Sequence, residues 1–298
     1  MKLVLYDNYQ PGLLTDDGVV DVSALVSIGR TGQETIEGII REWDDLKQGF
    51  ELQAAQGRKI PLSQVQLRAP LPKPGKIMCM AANYLEFTSG PGLPINGFLV
   101  SPEAVMDPGG TAVLPEYKFT ICHHEAELVV VIGRRGKDIS QAEAMSHVFG
   151  YTAGVDISAR GAWGFLSKAY DGFKPIGPCI VTPDEIGDPH ALQVHLSVDG
   201  ELRQDYNTSD MAHRIPECIE YFSAIMTLLP GDLLFLGTNH QGLGPLQDGE
   251  SAEMEIEKIG KFPFRISDPY KRTWPKGIDK SVGENVRKML ADAAASGR

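Results

Sequence analysis

The sequence has few cysteines, and none of them lies close to another along the chain. The four residues Cys79, Cys122, Cys179 and Cys218 form no C-x-x-C pair. Such spacing is typical of neither a disulfide framework nor a structural zinc site, and it favours a reducing compartment. We therefore expect a cytoplasmic protein.

Long apolar runs and an excess of positive charge are absent as well. The longest apolar runs, such as residues 128–132, have the length of a strand and are too short to span a membrane. The apolar part of the N-terminal segment is too short for a signal peptide. The net charge of −11 argues against nucleic acid, because phosphate binding needs clustered Lys and Arg side chains. We expect neither a membrane nor a nucleic acid as a partner.

The sequence motifs of two large enzyme classes are also missing. No G-x-G-x-x-G follows an expected strand, so nothing supports binding of a nicotinamide or flavin cofactor. No G-x-S-x-G is present, which removes the support for a serine hydrolase of the nucleophile-elbow type.

The segment RAPLPKPG at 68–75 divides the chain. It holds three prolines and a glycine, and because proline fixes φ and lacks an amide donor, the segment is typical of a linker. We expect a small N-terminal domain over 1–67, a catalytic domain over 76–267 and a peripheral C-terminal tail over 268–298 with a short helical run. The many short strands between Gly and Pro residues predict a β-rich α+β fold.

Periodicity and turn chemistry predict individual elements. Helices are expected around 34–52, from a capping box at Ser140 and Glu143 to about 148, and over about 210–228. A hairpin with a type I′ turn at Asp199-Gly200 is expected between strands at 194–198 and 201–203. Further strands are expected over 123–132, 232–236 and 253–257.

Two acidic residues interrupt the apolar stretch HHEAELVVVI at 123–132. Glu125 and Glu127 are two positions apart, so on a strand they share one face, opposite Ala126 and Leu128. Two buried like charges are unfavourable unless they are paired or bind a hard cation through their oxygen atoms. The alternative is a strand with a solvated acidic face, as we expect for EMEIE at 253–257. Spacing alone leaves both interpretations open.

Longer motifs extend the argument. The runs HEAELVVVIGRRGKDIS, GYTAGVDISARG, KAYDGFKPIGPCIVTPDEI and GDLLFLGTNHQGLG occur in this order between residues 76 and 260. Together they closely resemble the fumarylacetoacetate hydrolase family. The resemblance implies a mixed β-sandwich roll with a small N-terminal domain, assembled as a homodimer. It also implies Mg²⁺ (or Mn²⁺ or Ca²⁺) bound by Glu125, Glu127 and Asp156, and a small-molecule substrate that is a 2-oxo or 1,3-dicarbonyl acid.

The resemblance also implies roles for residues around the metal. Arg160 is expected to hold a substrate carboxylate, and Lys168 to stabilise an enolate electrostatically. Thr238 belongs to the same site, and we place Tyr84 and Asn239 with it among the substrate-binding residues. The implied reaction is hydrolysis of a carbon–carbon bond through a metal-stabilised enolate, in catabolism. A decarboxylase, a keto–enol tautomerase or isomerase on the same metal, and a non-catalytic binding homologue are the alternatives.

The sequence departs from the family pattern at positions that handle protons. Phe87 stands where hydrolytic members carry a His shortly after an Asn-Tyr pair, and phenylalanine cannot act as a base. Val100 replaces the Lys of an F-x-K-P motif, and Gly161-Ala162-Trp163 replaces a more polar run. His240, which follows the GT motif, is our first candidate for the missing base. Glu86 and His123 are the other candidates.

Overall fold

The structure of the protein is a computed structural model that describes residues 1–161 and 164–296. Strands outnumber helices over this part of the chain, which confirms the expected β-rich α+β fold. The strands of the described residues are β1 (Lys2–Tyr6), β2 (Gln10–Thr15), β3 (Gly18–Asp21), β4 (Lys59–Ile60), β5 (Leu67–Arg68), β6 (Ile77–Met80), β7 (Gly97–Val100), β8 (Val105–Met106), β9 (Thr111–Val113), β10 (Ile121–His123), β11 (Ala126–Ile132), β12 (Val148–Val155), β13 (Ser158–Arg160), β14 (Lys174–Val181), β15 (Gln193–Val198), β16 (Glu201–Asn207), β17 (Leu233–Phe235), β18 (Ser251–Ile256) and β19 (Gly260–Ser267). The α-helices of the same residues are α1 (Gly32–Arg41), α2 (Trp43–Gln56), α3 (Gln141–Ala144), α4 (Pro183–Ile186), α5 (Ile215–Ile225) and α6 (Lys280–Ser296).

Strand β11 lies in the middle of the larger of two main sheets. This sheet runs β1-β14-β12-β11-β17-β6 through its centre, and the smaller sheet has the order β16-β15-β18-β19-β9. Leu128 of β11 shares a buried core with Leu196 of the smaller sheet. The next residue, Val129, points the other way into a second core that includes Ile36 of α1. Because β11 is buried on both faces, an acidic side chain on it requires a partner.

The N-terminal segment continues the larger sheet. Strand β1 pairs antiparallel with β14, with Lys2 opposite Val181 and Leu3 opposite Ile180. Helices α1 and α2 cover the same sheet through apolar residues such as Ile36 and Phe50. The division of the chain at the proline-rich segment stays a prediction.

The predicted helix that begins at the Ser140 capping box is wrong in its extent. Helix α3 ends at Ala144, a 3₁₀ turn follows, and Val148 begins strand β12. Ser140 Oγ donates to the Glu143 carboxylate at 2.8 Å instead of capping a backbone amide. The residues after Val148 pair with both β11 and β14, and burial in the middle of the sheet outweighs the local helical pattern.

Two other helix predictions are correct in type but not in length. The stretch expected at 34–52 forms two helices, because the backbone leaves the helical conformation at Glu42. The helix expected at 210–228 spans only α5, and a 3₁₀ turn occupies Thr208–Asp210. The apolar residues Ile215, Ile219 and Phe222 of α5 share one helix face and are buried in the core.

The predicted hairpin is confirmed. Strands β15 and β16 pair antiparallel, with Val198 opposite Glu201. Asp199 and Gly200 both have positive φ angles, 50° and 79°, as a type I′ turn requires. The strands expected at 232–236 and 253–257 correspond to β17 and β18.

The C-terminal tail is not peripheral, which corrects our expectation. Gly283 of α6 packs so closely on the 3₁₀ turn His240–Gly242 that an added Cβ would lie 2.5 Å from Gln241 Nε2 and 3.1 Å from the His240 carbonyl. The backbone N–H of Asp279 donates to the Leu243 carbonyl at 2.7 Å. Neither α6 nor any other helix in the described part of the chain is long and apolar enough to cross a membrane.

The four cysteines are free and buried in the core. Burial raises the pKa of both the Cys122 and the Cys179 thiol to about 12. A neutral, enclosed thiol is unreactive, so these side chains serve as small apolar packing groups.

Candidate metal centre

Three acidic side chains meet at the start of β11. The expected continuous strand over 123–132 is interrupted, because β10 ends at His123 and β11 begins at Ala126. The Asp156 amide donates to the Glu125 carbonyl at 2.8 Å, which fixes Asp156 beside this break. Oxygen atoms of Glu125, Glu127 and Asp156 all lie within 4.8 Å of one another, and all three residues are buried. The structure thus brings together the three predicted metal ligands.

Two lysines neutralise part of this negative charge. Lys168 Nζ donates to Glu125 Oε2 at 2.6 Å and to Asp156 Oδ2 at 3.0 Å. Lys174 Nζ, fully buried below, donates to Asp156 Oδ1 at 2.5 Å and to the Lys168 carbonyl at 2.8 Å. Burial acts to lower the pKa of Lys168, but the Asp156 and Glu125 carboxylates outweigh it and raise the pKa above its usual value. The Lys168 ammonium is therefore charged.

Arg160 makes the third cationic contact. Its Nη2 donates to Glu125 Oε1, and its Nε donates to His123 Nδ1 at 3.3 Å. Burial acts to raise the pKa of Glu125, but the charges of Lys168 and Arg160 hold this pKa below its ordinary value. Glu125 is therefore ionised.

Among the three acids, Glu127 makes no ion pair with a cationic side chain of the described residues. Its Oε2 accepts from the Gly237 amide at 2.6 Å, and no Lys, Arg or His of the described residues lies within ion-pair distance of it. Burial, together with the nearby charges of Asp156 and Glu125, raises the pKa of Glu127 well above its ordinary value. A divalent cation in contact with all three carboxylates would remove this repulsion, and hard cations prefer such oxygen ligands. The residues present fit a divalent metal ion.

A cavity of about 210 Å³ opens beside the acidic cluster. Five residues with polar side chains line it, and all five were predicted as site residues: Glu125, Arg160, Lys168, Thr238 and His240. Thr238 Oγ1 accepts from Gln204 Nε2 at 2.7 Å, and the same amide nitrogen donates to the Asn239 carbonyl at 2.9 Å. Gln204 thereby holds the GT loop against β16.

His240 and Glu86 form a buried pair at the cavity wall. His240 Nδ1 lies 2.6 Å from Glu86 Oε1, and the backbone amide of His240 donates to the same carboxylate. Gln241 Nε2 adds a further hydrogen bond to Glu86 Oε2 at 2.9 Å. With Nδ1 donating its proton to Glu86, Nε2 of the His240 ring is left as a proton acceptor.

The backbone around Phe87 explains how Glu86 reaches this position. Glu86 and Phe87 both have positive φ angles, 56° and 59°, which bulky L-residues rarely adopt. This conformation turns Glu86 completely inward, whereas the Phe87 side chain is 54% exposed and does not line the cavity. Strained backbone of this kind is concentrated at functional sites.

The departure at Val100 lies away from the polar residues of the cavity. Val100 ends β7 in the apolar core, 5% exposed. Lys168 supplies the positive charge near this strand, with Nζ 5.8 Å from the centre of the Phe98 ring. Phe98 stacks on Phe165 with ring centres 4.1 Å apart, and both line the cavity. Ala162 and Trp163 lie outside the described residues.

The remaining predicted residues do not line the cavity. Tyr84 is fully buried and packs edge-on against Tyr206, with ring centres 5.0 Å apart. The Asn239 side chain donates to Asp210 at 2.7 Å and accepts from the Gln241 amide, which are structural contacts. His123 Nε2 lies 3.1 Å from Asp279, and burial followed by the charge of Arg160 lowers the pKa of His123 to about 4. Both ring nitrogens of His123 are engaged, which disfavours a role as the base.

Sequence reasoning missed Lys174 and Gln204, which support the site from outside the cavity. It also missed Val282 and Val286 of α6, which line the cavity. A lysine in the otherwise apolar strand β14 was a usable signal for Lys174, because a buried lysine requires an acidic partner. The valines are four positions apart, so they share a helix face. Nothing local indicated that this face would reach the site.

We predict that Lys174→Met destabilises the metal-free protein by about 3 kcal/mol, because removing the fully buried Lys174 ammonium leaves the buried Asp156 carboxylate with one cation, Lys168, in place of two. Urea unfolding followed by fluorescence measures this change. The matched control is Lys261→Met, since Lys261 forms a surface pair with Glu253 at 3.0 Å and its loss should leave the free energy of unfolding nearly unchanged. Equal stability of the two variants would contradict the structural role of Lys174.

A family model, sequence relatives and a solved structure all relate this chain to one protein family. Residues 76–267 match the family model described as Fumarylacetoacetate (FAA) hydrolase C-terminal. The chain is 30% identical over 287 residues to maleylpyruvate hydrolase of Aquipseudomonas alcaligenes, covering 89% of this chain and 99% of that protein. It is 36% identical over 225 residues to a mitochondrial oxaloacetate tautomerase of Bos taurus, covering 70% of this chain and 71% of that protein. The crystal structure of maleylpyruvate hydrolase from Sphingobium sp. SYK-6 with manganese(II) and pyruvate superimposes with a TM-score of 0.82 at 33% identity, covering 90% of this chain and 99% of that one.

Proposed function

This chain belongs to the fumarylacetoacetate hydrolase family, and we propose that it is a metal-dependent hydrolase that cleaves a carbon–carbon bond in small acylpyruvate-type acids. Its relatives are named as hydrolases, tautomerases and isomerases, which supports an enzyme. The observation that carries hydrolysis is the His240–Glu86 pair at the wall of a cavity that also holds Glu125, Arg160 and Lys168. A buried His oriented by a carboxylate is the arrangement that activates water.

Glu125, Glu127 and Asp156 would hold the metal, and we propose Mg²⁺, with Mn²⁺ or Ca²⁺ as substitutes. Such a cation, when bound, supplies a Lewis acid that withdraws electrons from the carbonyl oxygens of a 2,4-dioxo acid. Manganese in the Sphingobium relative supports a divalent ion at this position.

The chain's own residues then have distinct tasks. Arg160 keeps N–H groups beyond those on Glu125 and His123, and these can bind the substrate carboxylate as a planar fork. Lys168, charged and 11% exposed at its side chain, presents positive charge to the side of the cavity where the enolate oxygen develops. Glu86 engages Nδ1 of the His240 ring, which leaves Nε2 of this cavity-lining residue to accept a proton.

The proposed reaction converts R–CO–CH₂–CO–COO⁻ and water into R–COO⁻ and pyruvate. His240 Nε2 takes a proton from water as the water oxygen bonds to the acyl carbon. The bond from the acyl carbon to the methylene carbon breaks, and its electron pair leaves with the methylene carbon as the enolate of pyruvate. His240 returns the proton to that carbon, and the acid product ionises.

A tautomerase of oxaloacetate is the second candidate. The relative in Bos taurus carries that name, and the His240–Glu86 pair could equally move a proton between carbon and oxygen. Phe87 in place of the family's His favours this alternative, because tautomerisation requires no activated water. The homodimer, the cytoplasmic location and the domain division at residues 68–75 stay predictions.

One assay distinguishes the candidates. The purified protein with Mg²⁺ is given acetylpyruvate, and we expect pyruvate and acetate to appear in equal amounts. Removing the metal with a chelator should abolish this reaction, and Mg²⁺ or Mn²⁺ should restore it. Conversion of enol to keto oxaloacetate without any acetate from acetylpyruvate would instead establish the tautomerase, and loss of CO₂ from oxaloacetate would indicate a decarboxylase.

A further inference from the structure

The cavity beside the acidic cluster is lined by two unlike kinds of side chain, cationic and apolar. Its cationic lining residues, among those described, are Arg160 and Lys168, and both contact Glu125. The apolar lining residues are more numerous and comprise Met80, Phe98, Phe165, Val282 and Val286 with two alanines. A ligand held at the metal ligands by its 2-oxo acid end therefore extends its other end into an apolar space.

Helix α6 supplies two of these apolar lining residues, Val282 and Val286, and it is fixed in place. Its N-terminal flank is held by the hydrogen bond between His123 Nε2 and Asp279 at 3.1 Å, and Arg287 Nε donates to the Glu86 carbonyl at 3.0 Å. The close approach of Gly283 to Gln241 and the His240 carbonyl fixes the helix between these two points. Val282 is half-buried and Val286 is buried, so they present a defined wall.

Among the residues that the structure describes, no cation other than Arg160 and Lys168 lines the cavity to meet a second carboxylate at the far end of a substrate. Lys174 is buried beneath the cluster, bonded to Asp156, and does not line the cavity. Arg287 is engaged with the Glu86 carbonyl and does not line the cavity either. A charge removed from water without a partner is strongly unfavourable, whereas an alkyl group gains from burial there.

We propose that Val282 and Val286 of α6 determine substrate specificity, and that the acyl group of the substrate ends in a small uncharged apolar group rather than in a carboxylate. The proposal rests on the acylpyruvate hydrolase function and narrows it. It sets this chain apart from the relatives named for maleylpyruvate, a dicarboxylic acid. Val282 and Val286 both lie beyond residue 267, outside the segment that matches the family model.

The test compares two substrates of similar length, pentanoylpyruvate and succinylpyruvate, whose acyl groups end in a methyl group and in a carboxylate, respectively. We expect kcat/KM of the wild-type enzyme to favour pentanoylpyruvate by at least about tenfold. Val282→Lys places a cation on the wall and should reduce or reverse this ratio by at least about tenfold. Val286→Ala, which enlarges the cavity, should raise the preference for hexanoylpyruvate over acetylpyruvate by about tenfold.

Leu290→Ala is the matched control, because Leu290 is a buried apolar residue of α6 that does not line the cavity. It should leave both ratios unchanged even if it lowers Tm. A wild-type enzyme that cleaves succinylpyruvate as well as pentanoylpyruvate would overturn the proposal, as would valine variants with the wild-type ratios.

A binding measurement separates this proposal from the proposed function. In the presence of Mg²⁺ we expect 2-oxohexanoate to raise Tm of the wild-type protein more than 2-oxoglutarate, and Val282→Lys to reverse the order. If no acylpyruvate is cleaved but this pattern of Tm shifts appears, the proposed hydrolase function is wrong and the proposed role of Val282 and Val286 is correct. If cleavage occurs and both ligands stabilise the protein equally, the wall has no role in specificity.

Discussion

Glu127→Gln should lower kcat/KM at least about 10³-fold and at the same time raise Tm of the metal-free protein. The loss of rate follows because a divalent ion contributes several kcal/mol of charge stabilisation in the transition state. The gain in stability follows because Glu127 is a buried carboxylate beside two others, with only the Gly237 amide as a direct partner. A neutral amide of the same shape removes that repulsion.

The pH dependence of this stabilisation has a definite sign. The pKa of Glu127 is raised in the folded state, so the penalty from its charge is present at high pH and disappears as pH falls through the raised pKa. The difference in Tm between Glu127→Gln and wild type, both free of metal, should therefore shrink as pH is lowered. Addition of Mg²⁺ or Mn²⁺ should raise Tm of the wild type but not of the variant.

Glu255→Gln is the control for these measurements, because Glu255 is an exposed acid on strand β18. It should change neither the rate nor the stabilisation by metal. A Glu127→Gln protein that is less stable than wild type without metal, or that still gains stability from Mg²⁺, would show that Glu127 is not a metal ligand.

His240→Asn should lower kcat for acylpyruvate hydrolysis by about 10²–10⁴-fold, the range expected for loss of a general base. Glu86→Gln should lower kcat by a smaller factor, since it leaves the imidazole in place and removes only its orienting partner at 2.6 Å. The double variant should be no slower than His240→Asn alone, because the two residues act as one unit. Stabilisation by Mg²⁺ and binding of pyruvate should persist in all three proteins.

A surface pair of the same kind provides the matched control. His195 Nε2 lies 3.2 Å from Asp205 across the β15–β16 hairpin, with the two side chains 40% and 55% exposed, and His195→Asn should retain full activity. If His240→Asn also hydrolyses acylpyruvates at the wild-type rate, the base is another group. If it loses hydrolysis but retains oxaloacetate tautomerisation, the two reactions use different proton carriers on one metal site.

The parts of the structure that the sequence predicted were those set by local pattern. Alternation along β11 placed Glu127 and Leu128 on opposite faces, and the Asp199-Gly200 turn placed a hairpin, because each depends on neighbours a few residues away. Motif order then led to Asp156, whose approach to Glu125 depends on pairing between β11 and β12. That pairing is not local, and only the resemblance to a family suggested it.

The parts that the sequence did not predict depend on distant contacts. The helical pattern after Ser140 was overridden at Val148, because that segment is buried between two strands in the middle of the sheet. Glu86 and His240 are 154 residues apart, and their pairing depends on a turn with positive φ angles at Glu86 and Phe87. Neither residue type favours positive φ, so the sequence does not indicate this turn. The contribution of α6 required knowing where the C-terminal chain crosses the GT loop, and spacing within the helix carries no such information.

Because all four cysteines are buried, the native chain should react little with reagents that label thiols. A single cysteine introduced at an exposed position of α6, such as Ser281, would be the preferred target of a maleimide dye. Because Ser281 directly precedes Val282 of the apolar wall, such a dye would report on the position of that wall as metal and 2-oxo acid are added. The molecule can thus be followed by a local fluorophore without first removing any of its own side chains.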